Sequence, residues 1–196
     1  MFSFEQEYKT FLESQQINYK DNCNSYKLLD FTLINLVNNR NLYVDVKEKR
    51  QVINTKNWPS IDASNEKFTF IMDDLAARKI FAYAPYSGLI IRDNITTTYY
   101  WYSIIDLGLM PKIRVNRAIE KYRLQYKGKW IVDFRNAASA NSLEDISKII
   151  LQYAEAIVQM CTEFIPCYGN YHNEKLSIEG EIRNQGHWDI DVKETR

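Results

Sequence analysis

The feature that most constrains the fold is a pair of apolar, β-favouring stretches separated by two asparagines. The stretches run from Lys27 to Val37 and from Asn41 to Glu48, with Asn38-Asn39 between them. Asparagine tolerates the left-handed backbone that a two-residue turn requires. The sequence therefore predicts an antiparallel β-hairpin closed by these two residues.

Two carboxylates and a lysine share one face of this hairpin. Residues two apart on a strand point to the same side, so Asp45 and Lys47 project together. A two-residue loop pairs Asp30 with Lys47 and Thr32 with Asp45, which brings Asp30 to the same face. Like charges held in apolar surroundings repel each other and lose hydration. A divalent cation would remove this conflict, and Mg²⁺ prefers hard oxygen ligands such as these carboxylates and the Val46 carbonyl.

Helical and extended patterns alternate along the chain. The capping pattern of Ser3 and Gln6 predicts a helix from Phe4 to Gln15, and Ser142 with Asp145 caps a second helix. Residues 51–65 have the composition of a loop. The strand patterns between the helices are 88–91, 99–107 and 129–134, and a helix-compatible pattern with an ambiguous N-terminal half spans 68–83.

The composition is that of a folded globular protein. The chain has 196 residues, of which 45% are hydrophobic and 26% charged, enough for one sizeable core. We expect one domain over residues 1–167 and a loosely attached polar tail over 168–196. No membrane-spanning run or secretory signal is recognisable, which predicts a cytoplasmic protein. The three cysteines form no C-x-x-C pair, so neither a disulfide framework nor a closed zinc site is expected.

The sequence Leu29-Asp30, followed by Asp45-Val46-Lys47, resembles the motif of the PD-(D/E)xK nuclease superfamily. The resemblance covers residues 1 to about 106. It implies a restriction-endonuclease-like α/β fold, in which a mixed central β-sheet is flanked by α-helices and carries Asp30 and the Asp-x-Lys element on adjacent strands. Leu29 replaces the usual proline and Asp45 the commoner glutamate, but neither departure removes a ligand.

The resemblance also implies an activity, a cofactor and a partner. The expected protein is a metal-dependent endonuclease that hydrolyses phosphodiester bonds, more readily in DNA than in RNA. Its cofactor would be Mg²⁺, which Mn²⁺ could replace. A homodimer would suit the cleavage of both strands of a duplex. The alternative is a non-catalytic nucleic-acid-binding or interaction protein on the same fold.

The catalytic residues implied by the resemblance are Asp30, Asp45, Lys47 and Glu5. The implied metal ligands are Asp30, Asp45, the backbone carbonyl of Val46, and Glu5, which matches the glutamate that many members carry on the first helix. Glu7 and Glu13 remain alternatives to Glu5. Lys47 could orient the attacking water or stabilise developing negative charge, and whether it acts as a base stays open.

Basic residues supply candidates for contact with nucleic acid. Lys49 and Arg50 directly follow the motif, although charges at a strand end are commonly just solvated. A second basic stretch runs from Lys112 to Lys129, interleaved with aromatic residues. Its candidate contacts are Arg114, Arg117, Lys121 and Arg123. Because the formal net charge is zero, this stretch could equally be a basic surface that offsets the acidic C-terminal region.

The tripeptide Asp45-Val46-Lys47 recurs near the C-terminus as Asp191-Val192-Lys193. An Asp-x-Lys tripeptide alone is also what a solvated strand face with an ion pair would show. The first copy follows an apolar strand, whereas the second lies in a polar segment. We therefore predict that only the first copy belongs to the site.

Overall fold

The computed structural model describes residues 3–54, 58, 63–119, 122–162 and 193–194. The chain divides into two compact units. The first comprises Met1–Gln51, Lys79–Ile105 and Ala137–Tyr168, and the second comprises Val52–Arg78, Asp106–Asn136 and Gly169–Arg196. The single domain predicted over residues 1–167 stays a prediction, and most of the predicted tail lies outside the described residues.

Four α-helices and ten strands make up the described part of the chain. The helices are α1 (Phe4–Ser14), α2 (Asp74–Ala82), α3 (Ile104–Leu109) and α4 (Leu143–Thr162). The strands are β1 (Tyr19–Asp21), β2 (Phe31–Val37), β3 (Arg40–Lys49), β4 (Thr69–Asp73), β5 (Ser87–Asp93), β6 (Thr98–Ser103), β7 (Ile113–Ile119), β8 (Tyr122–Asp133), β9 (Ala138–Ala140) and β10 (Lys193–Glu194). No described helix is long and apolar enough to cross a lipid bilayer.

The first unit is built on a six-stranded mixed sheet in the order β1-β2-β3-β5-β6-β9. Strands β3 and β5 are parallel, and the other neighbours are antiparallel. Helix α1 contacts β3, and α4 contacts β2, β6 and β9. A mixed central sheet flanked by helices is the predicted fold class, which is confirmed.

The core of this unit lies where α1 and α4 cover the sheet. Val44 and Val46 of β3 are buried, with 0% and 2% of their surface exposed, and they share a cluster with Phe4, Tyr8 and Ile146. This burial explains why the alternate residues of β3 are free to carry charge on the opposite face. One face of β3 therefore packs in the core, and the other face carries polar groups.

The predicted hairpin is present, but its register differs from the prediction. Asn38 and Asn39 have positive φ angles of 48° and 59°, as the two-residue turn requires, and Val37 pairs with Arg40 across it. A bulge then inserts two extra residues into β2, with Asn35 at a φ of 53°. The pairs beyond the bulge are Thr32 with Tyr43 and Phe31 with Val44.

The predicted pairs Asp30 with Lys47 and Thr32 with Asp45 are therefore wrong by two residues. The backbone N–H of Asn35 donates to the Asn41 side-chain oxygen at 3.1 Å, which ties the bulge to β3. Because side chains alternate with a period of two, a shift of two keeps every residue on its own face. The bulge changes the partner of Asp30 but not its side of the sheet.

Both predicted helix caps are confirmed. The Ser3 hydroxyl accepts a hydrogen bond from the Gln6 N–H at 3.3 Å at the start of α1. At the start of α4, the Ser142 hydroxyl accepts from the Asp145 N–H at 3.1 Å and donates to the Asp145 carboxylate at 2.9 Å. Each cap satisfies an N–H group that the helix itself leaves without a partner.

The second unit contains the largest differences from the sequence prediction. Its four-stranded sheet has the order β10-β7-β8-β4. The ambiguous half of the predicted helix is β4, which pairs antiparallel with β8 before α2 begins. The predicted strand over 129–134 is the end of the longer β8, and β7 was not predicted. Lys193 and Glu194 pair with Val115 and Asn116, so this part of the predicted tail joins the sheet.

Candidate active site

Asp30 is held against β3 by the backbone of the Asp-x-Lys element. It lies one residue before β2, and its Oδ2 atom accepts a hydrogen bond from the Val46 N–H at 2.8 Å. Its own carbonyl accepts from the Asn22 N–H at 2.8 Å. The preceding residue, Leu29, is buried with 1% of its surface exposed, which anchors the chain at the site that a proline usually occupies in the resembled motif. Asp30 is therefore fixed on both sides.

One ammonium group contacts three of the four groups predicted as metal ligands, all except Glu5. The Lys47 Nζ atom lies 2.8 Å from Asp45 Oδ2, 3.0 Å from Asp30 Oδ2 and 2.9 Å from the Val46 carbonyl oxygen. The structure thus brings Asp30, Asp45 and Lys47 together on the face that the sequence predicts. The positive charge of Lys47 therefore balances part of the negative charge of these oxygens.

Burial and charge set the protonation states of this cluster. Asp45 is 3% exposed, and its burial raises its pKa to about 6, with Lys47 opposing the rise and Asp30 adding to it. Burial alone would lower the pKa of Lys47, but Asp45 and Asp30 outweigh it and raise that pKa above the ordinary lysine value. Lys47 is therefore a cation here, which favours charge stabilisation over action as a base.

Glu5 is a carboxylate of α1 whose pKa is affected by the charges of Asp30 and Lys47. Burial raises its pKa, and the negative charge of Asp30 raises it further, while Lys47 lowers it. Glu7 instead pairs with Arg92, and Glu13 accepts a hydrogen bond from the Tyr19 hydroxyl at 2.8 Å. A cleft of about 360 Å³ adjoins the cluster, and its lining includes Glu5, Val46, Lys47, Glu48 and Arg50.

The donor set fits a hard divalent cation. Two carboxylates and a backbone carbonyl lie within 3.0 Å of one positive charge, and Asp45 Oδ2 is buried without a well-directed hydrogen bond. Mg²⁺ commonly takes one or two carboxylates and leaves its other positions to water and substrate. Within the described part of the chain, no three His, Cys, Asp or Glu side chains converge closely enough to form a ligand cage by themselves. Glu5 lies outside the immediate cluster.

The two basic residues after the motif differ in their surroundings. Lys49 does not reach the surface, contrary to the expectation of a solvated strand end or a phosphate contact. Its side chain is 2% exposed, and its Nζ atom lies 4.0 Å from Asp93 Oδ2. The Arg50 side chain is 72% exposed and pairs with Glu48 at 2.6 Å beside the cleft. Of the two, Arg50 is placed to meet a ligand.

The second basic stretch is partly neutralised by two carboxylates that no sequence pattern had singled out. Arg114 Nε lies 2.8 Å from Asp74 Oδ1, and Asp73 pairs with both Lys127 and Lys129. The remaining candidates are Arg117, whose guanidinium lies 3.9 Å from the centroid of the Trp58 ring, Arg123, of which only the backbone is described, and Lys121, which lies outside the described residues. Asp73 and Asp74 therefore offset part of the positive charge that this stretch carries.

Sequence reasoning missed the residues that connect α1 to the site. Glu48 directly follows Lys47, and its Oε1 atom accepts a hydrogen bond from the Phe4 N–H. The same atom lies 2.6 Å from Arg92 Nη2. Adjacency to the motif is the one sequence signal that could have pointed to Glu48, whereas nothing in the sequence brings Arg92 to this place.

Fold and site together define an α/β unit with a mixed sheet, in which Asp30 directly precedes β2 and the Asp45-Val46-Lys47 element lies on the adjacent strand β3. This is the arrangement that the resemblance to the PD-(D/E)xK superfamily implies. No protein-family model matches the chain, and no curated protein matches it.

The solved structures similar to this one include a resolvase and a viral nuclease. One is Hjc, a Holliday junction resolvase from the archaeal hyperthermophile Archaeoglobus fulgidus, with a TM-score of 0.39 and 7% identity over 68% of this chain and 93% of that chain. The other is a nuclease from a fusselovirus, with a TM-score of 0.41 and 8% identity over 77% of this chain and 87% of that chain.

Proposed function

We propose that this protein is a metal-dependent nuclease that hydrolyses phosphodiester bonds, with DNA as the favoured substrate. The observation that supports this most directly is the set of contacts around Lys47. Two carboxylates and a carbonyl converge within 3.0 Å of its ammonium group beside an open cleft. Such a concentration of oxygen ligands is costly to bury unless a cation compensates it.

Asp30, Asp45 and the Val46 carbonyl are the groups that would hold Mg²⁺ or Mn²⁺. When bound, the cation would supply positive charge that polarises the scissile phosphoryl group. Asp30 keeps its orientation through the hydrogen bond from the Val46 N–H. Asp45 is fixed by burial within the sheet. These two residues are therefore preorganised to present their carboxylates together.

Lys47 is the residue that would act on the substrate. Its side chain lines the cleft that adjoins the cluster. A charged ammonium can donate hydrogen bonds to a phosphoryl oxygen and stabilise the negative charge that develops there. Glu5 lines the same cleft and would complete the acidic side of the site, while Arg50 would contact the nucleic-acid backbone.

The test is a cleavage assay on the whole chain. Linear, supercoiled and branched DNA, together with RNA, are incubated with Mg²⁺, Mn²⁺ or EDTA. Asp45→Asn and Lys47→Met should lower the rate by roughly 10²-fold or more, because Asp45 would hold the metal ion and Lys47 would act at the reacting phosphate. Glu13→Gln and Lys9→Met remove the same charges from exposed positions and should leave the rate unchanged.

The assay distinguishes the nuclease from the non-catalytic alternative. Metal-dependent cleavage that Asp45→Asn and Lys47→Met both lose would support the nuclease. Nucleic-acid binding without cleavage in any metal would favour the non-catalytic alternative, in which Lys47 serves as a permanent counter-ion for Asp30 and Asp45. Sedimentation of the active species would test the proposed homodimer.

A further inference from the structure

A buried arginine links the start of α1 to the strand that carries the site. Arg92 lies on β5, and its Nη1 atom pairs with the Glu7 carboxylate of α1. Its Nη2 atom lies 2.6 Å from Glu48 Oε1 on β3. The guanidinium carbon lies 5.3 Å from the centroid of the Phe4 ring. One side chain therefore contacts both the helix and the neighbouring strand.

These contacts bracket Glu5 on both sides. The residue before it, Phe4, donates its backbone N–H to Glu48. Two residues after it, Glu7 accepts hydrogen bonds from Arg92 and from the Tyr99 hydroxyl. The first turn of the helix is thus fixed to β3 and β5 at two points, and Glu5 lies between them.

The surroundings make this link stiff. The Arg92 and Glu48 side chains are each 10% exposed, so water competes little for their charges. A guanidinium is planar and presents its donors in a fixed fork, which two carboxylates can engage at once. The apolar face of α1 holds the helix on the sheet, but apolar contact is not directional and does not fix where a polar side chain points.

We propose that Arg92 is a positioning residue that holds Glu5 toward Asp30 and Lys47 by clamping Glu7 and Glu48. This inference rests on the proposed function, because it takes Glu5 as the carboxylate that would complete the acidic side of the metal site. Glu5 lines the same cleft as Val46 and Lys47, and the clamp would maintain this position. Arg92 acts through Glu5 and does not itself touch the substrate.

The test measures Mn²⁺ binding directly by calorimetry and so does not depend on activity. Glu7→Gln removes the charge that Arg92 clamps on α1, and we expect it to weaken Mn²⁺ binding by roughly tenfold, as loss of a supporting residue around a metal site commonly does. Arg92→Lys keeps the charge but loses the fork, and it should weaken binding to a similar extent. Glu13→Gln removes the same charge from the same helix and should have no effect.

The decisive comparison repeats Glu7→Gln in a Glu5→Gln background. If the clamp acts through Glu5, the second change has no further effect on Mn²⁺ binding once Glu5 is neutralised. An equal loss in both backgrounds would overturn the inference while leaving the proposed metal site intact, since a general effect of charge or stability does not need Glu5. Absence of Mn²⁺ binding by the unaltered protein would overturn the proposed function and this inference with it.

Discussion

Lys47 is surrounded by the groups that define the site. Its ammonium contacts Asp30, Asp45 and the Val46 carbonyl, which are also the groups proposed to hold a metal ion. The ammonium and a divalent cation would therefore compete for the same oxygens. In the proposed mechanism, the lysine would relieve the repulsion between the carboxylates without a bound metal, and metal binding would make it available to a substrate phosphate.

This competition predicts opposite effects of one substitution on binding and on catalysis. Lys47→Met should bind Mn²⁺ more tightly by roughly tenfold, or about 1.4 kcal/mol, because no ammonium has to be displaced. It should also lose cleavage, because the charge that faces the substrate is gone. Calorimetric titration with Mn²⁺ and a cleavage assay measure the two effects.

Lys9→Met is the matched control, since Lys9 forms an exposed ion pair with Asp21 at 3.3 Å. It should change neither quantity. Weaker Mn²⁺ binding by Lys47→Met would mean that the lysine supports the metal site instead of competing for it.

At the scale of elements, the hairpin of β2 and β3 depends on its turn. Asn39 has a φ of 59°, a conformation that costs residues with branched side chains about 1–2 kcal/mol. Asn39→Val should lower the free energy of unfolding by about that amount, whereas Asn39→Gly should leave it unchanged or slightly higher. Urea denaturation compares the two variants at one position. Equal effects of valine and glycine would show that the turn does not impose this backbone.

A lysine with an unusual environment lies three residues beyond the end of helix α3. The Lys112 Nζ atom donates to the carbonyl oxygens of Gly108 at 2.9 Å and Met110 at 3.2 Å, and it lies 5.4 Å from the Trp130 ring centroid. Burial lowers the pKa of Lys112 from 10.5 to about 8. Lys112 thus donates to carbonyl groups at the C-terminal end of α3 and directly after it. In this buried position its own charge loses hydration.

The lowered pKa of Lys112 predicts a pH-dependent stability. Between pH 8 and pH 10.5 the unfolded chain binds the proton that the folded chain has lost. The contribution of Lys112 to the free energy of unfolding therefore increases as the pH rises through this range. The protein and Lys112→Met are denatured at about pH 7.5, 9 and 10. The difference between their free energies of unfolding at each pH measures this contribution. A difference that is constant with pH would contradict the prediction.

At the scale of the whole molecule, ion pairs balance the charges within each unit. The first unit pairs Arg92 with Glu7 and Glu48, and the second pairs Asp73 and Asp74 with basic residues of β7 and β8. The acidic cluster around Lys47 differs from these pairs, because a buried carboxylate oxygen of Asp45 lacks a well-directed hydrogen bond there, while Val46 and Lys47 line a cleft. Added divalent metal should therefore act mainly on this cluster.

Metal binding should appear in the stability of the folded chain. A ligand at 100 times its Kd stabilises the state that binds it by about 2.7 kcal/mol, so saturating Mn²⁺ should raise the Tm, and EDTA should reverse the rise. Differential scanning calorimetry measures the effect. Asp45→Asn should respond much less, and an equal response of this variant would place the bound metal elsewhere on the chain.

The sequence by itself determined the local features of this protein. Helix α1 and its Ser3 cap, the Asn38-Asn39 turn and the face shared by Asp45 and Lys47 depend on neighbouring residues and on the two-residue period of a strand. These features can therefore be predicted without knowledge of tertiary contacts. They were sufficient to predict the three-residue centre.

The tertiary structure decided the features that depend on distant residues. The bulge at Asn35 reset the hairpin register, and tertiary contacts pair Glu7 with Arg92 and Glu13 with Tyr19 while Glu5 lines the cleft. The burial of Lys49 beside Asp93 and the path of Arg92 to α1 likewise join segments far apart in the chain. No local pattern encodes such contacts, because they arise only when separate strands and helices pack and the low dielectric between them fixes which charges pair.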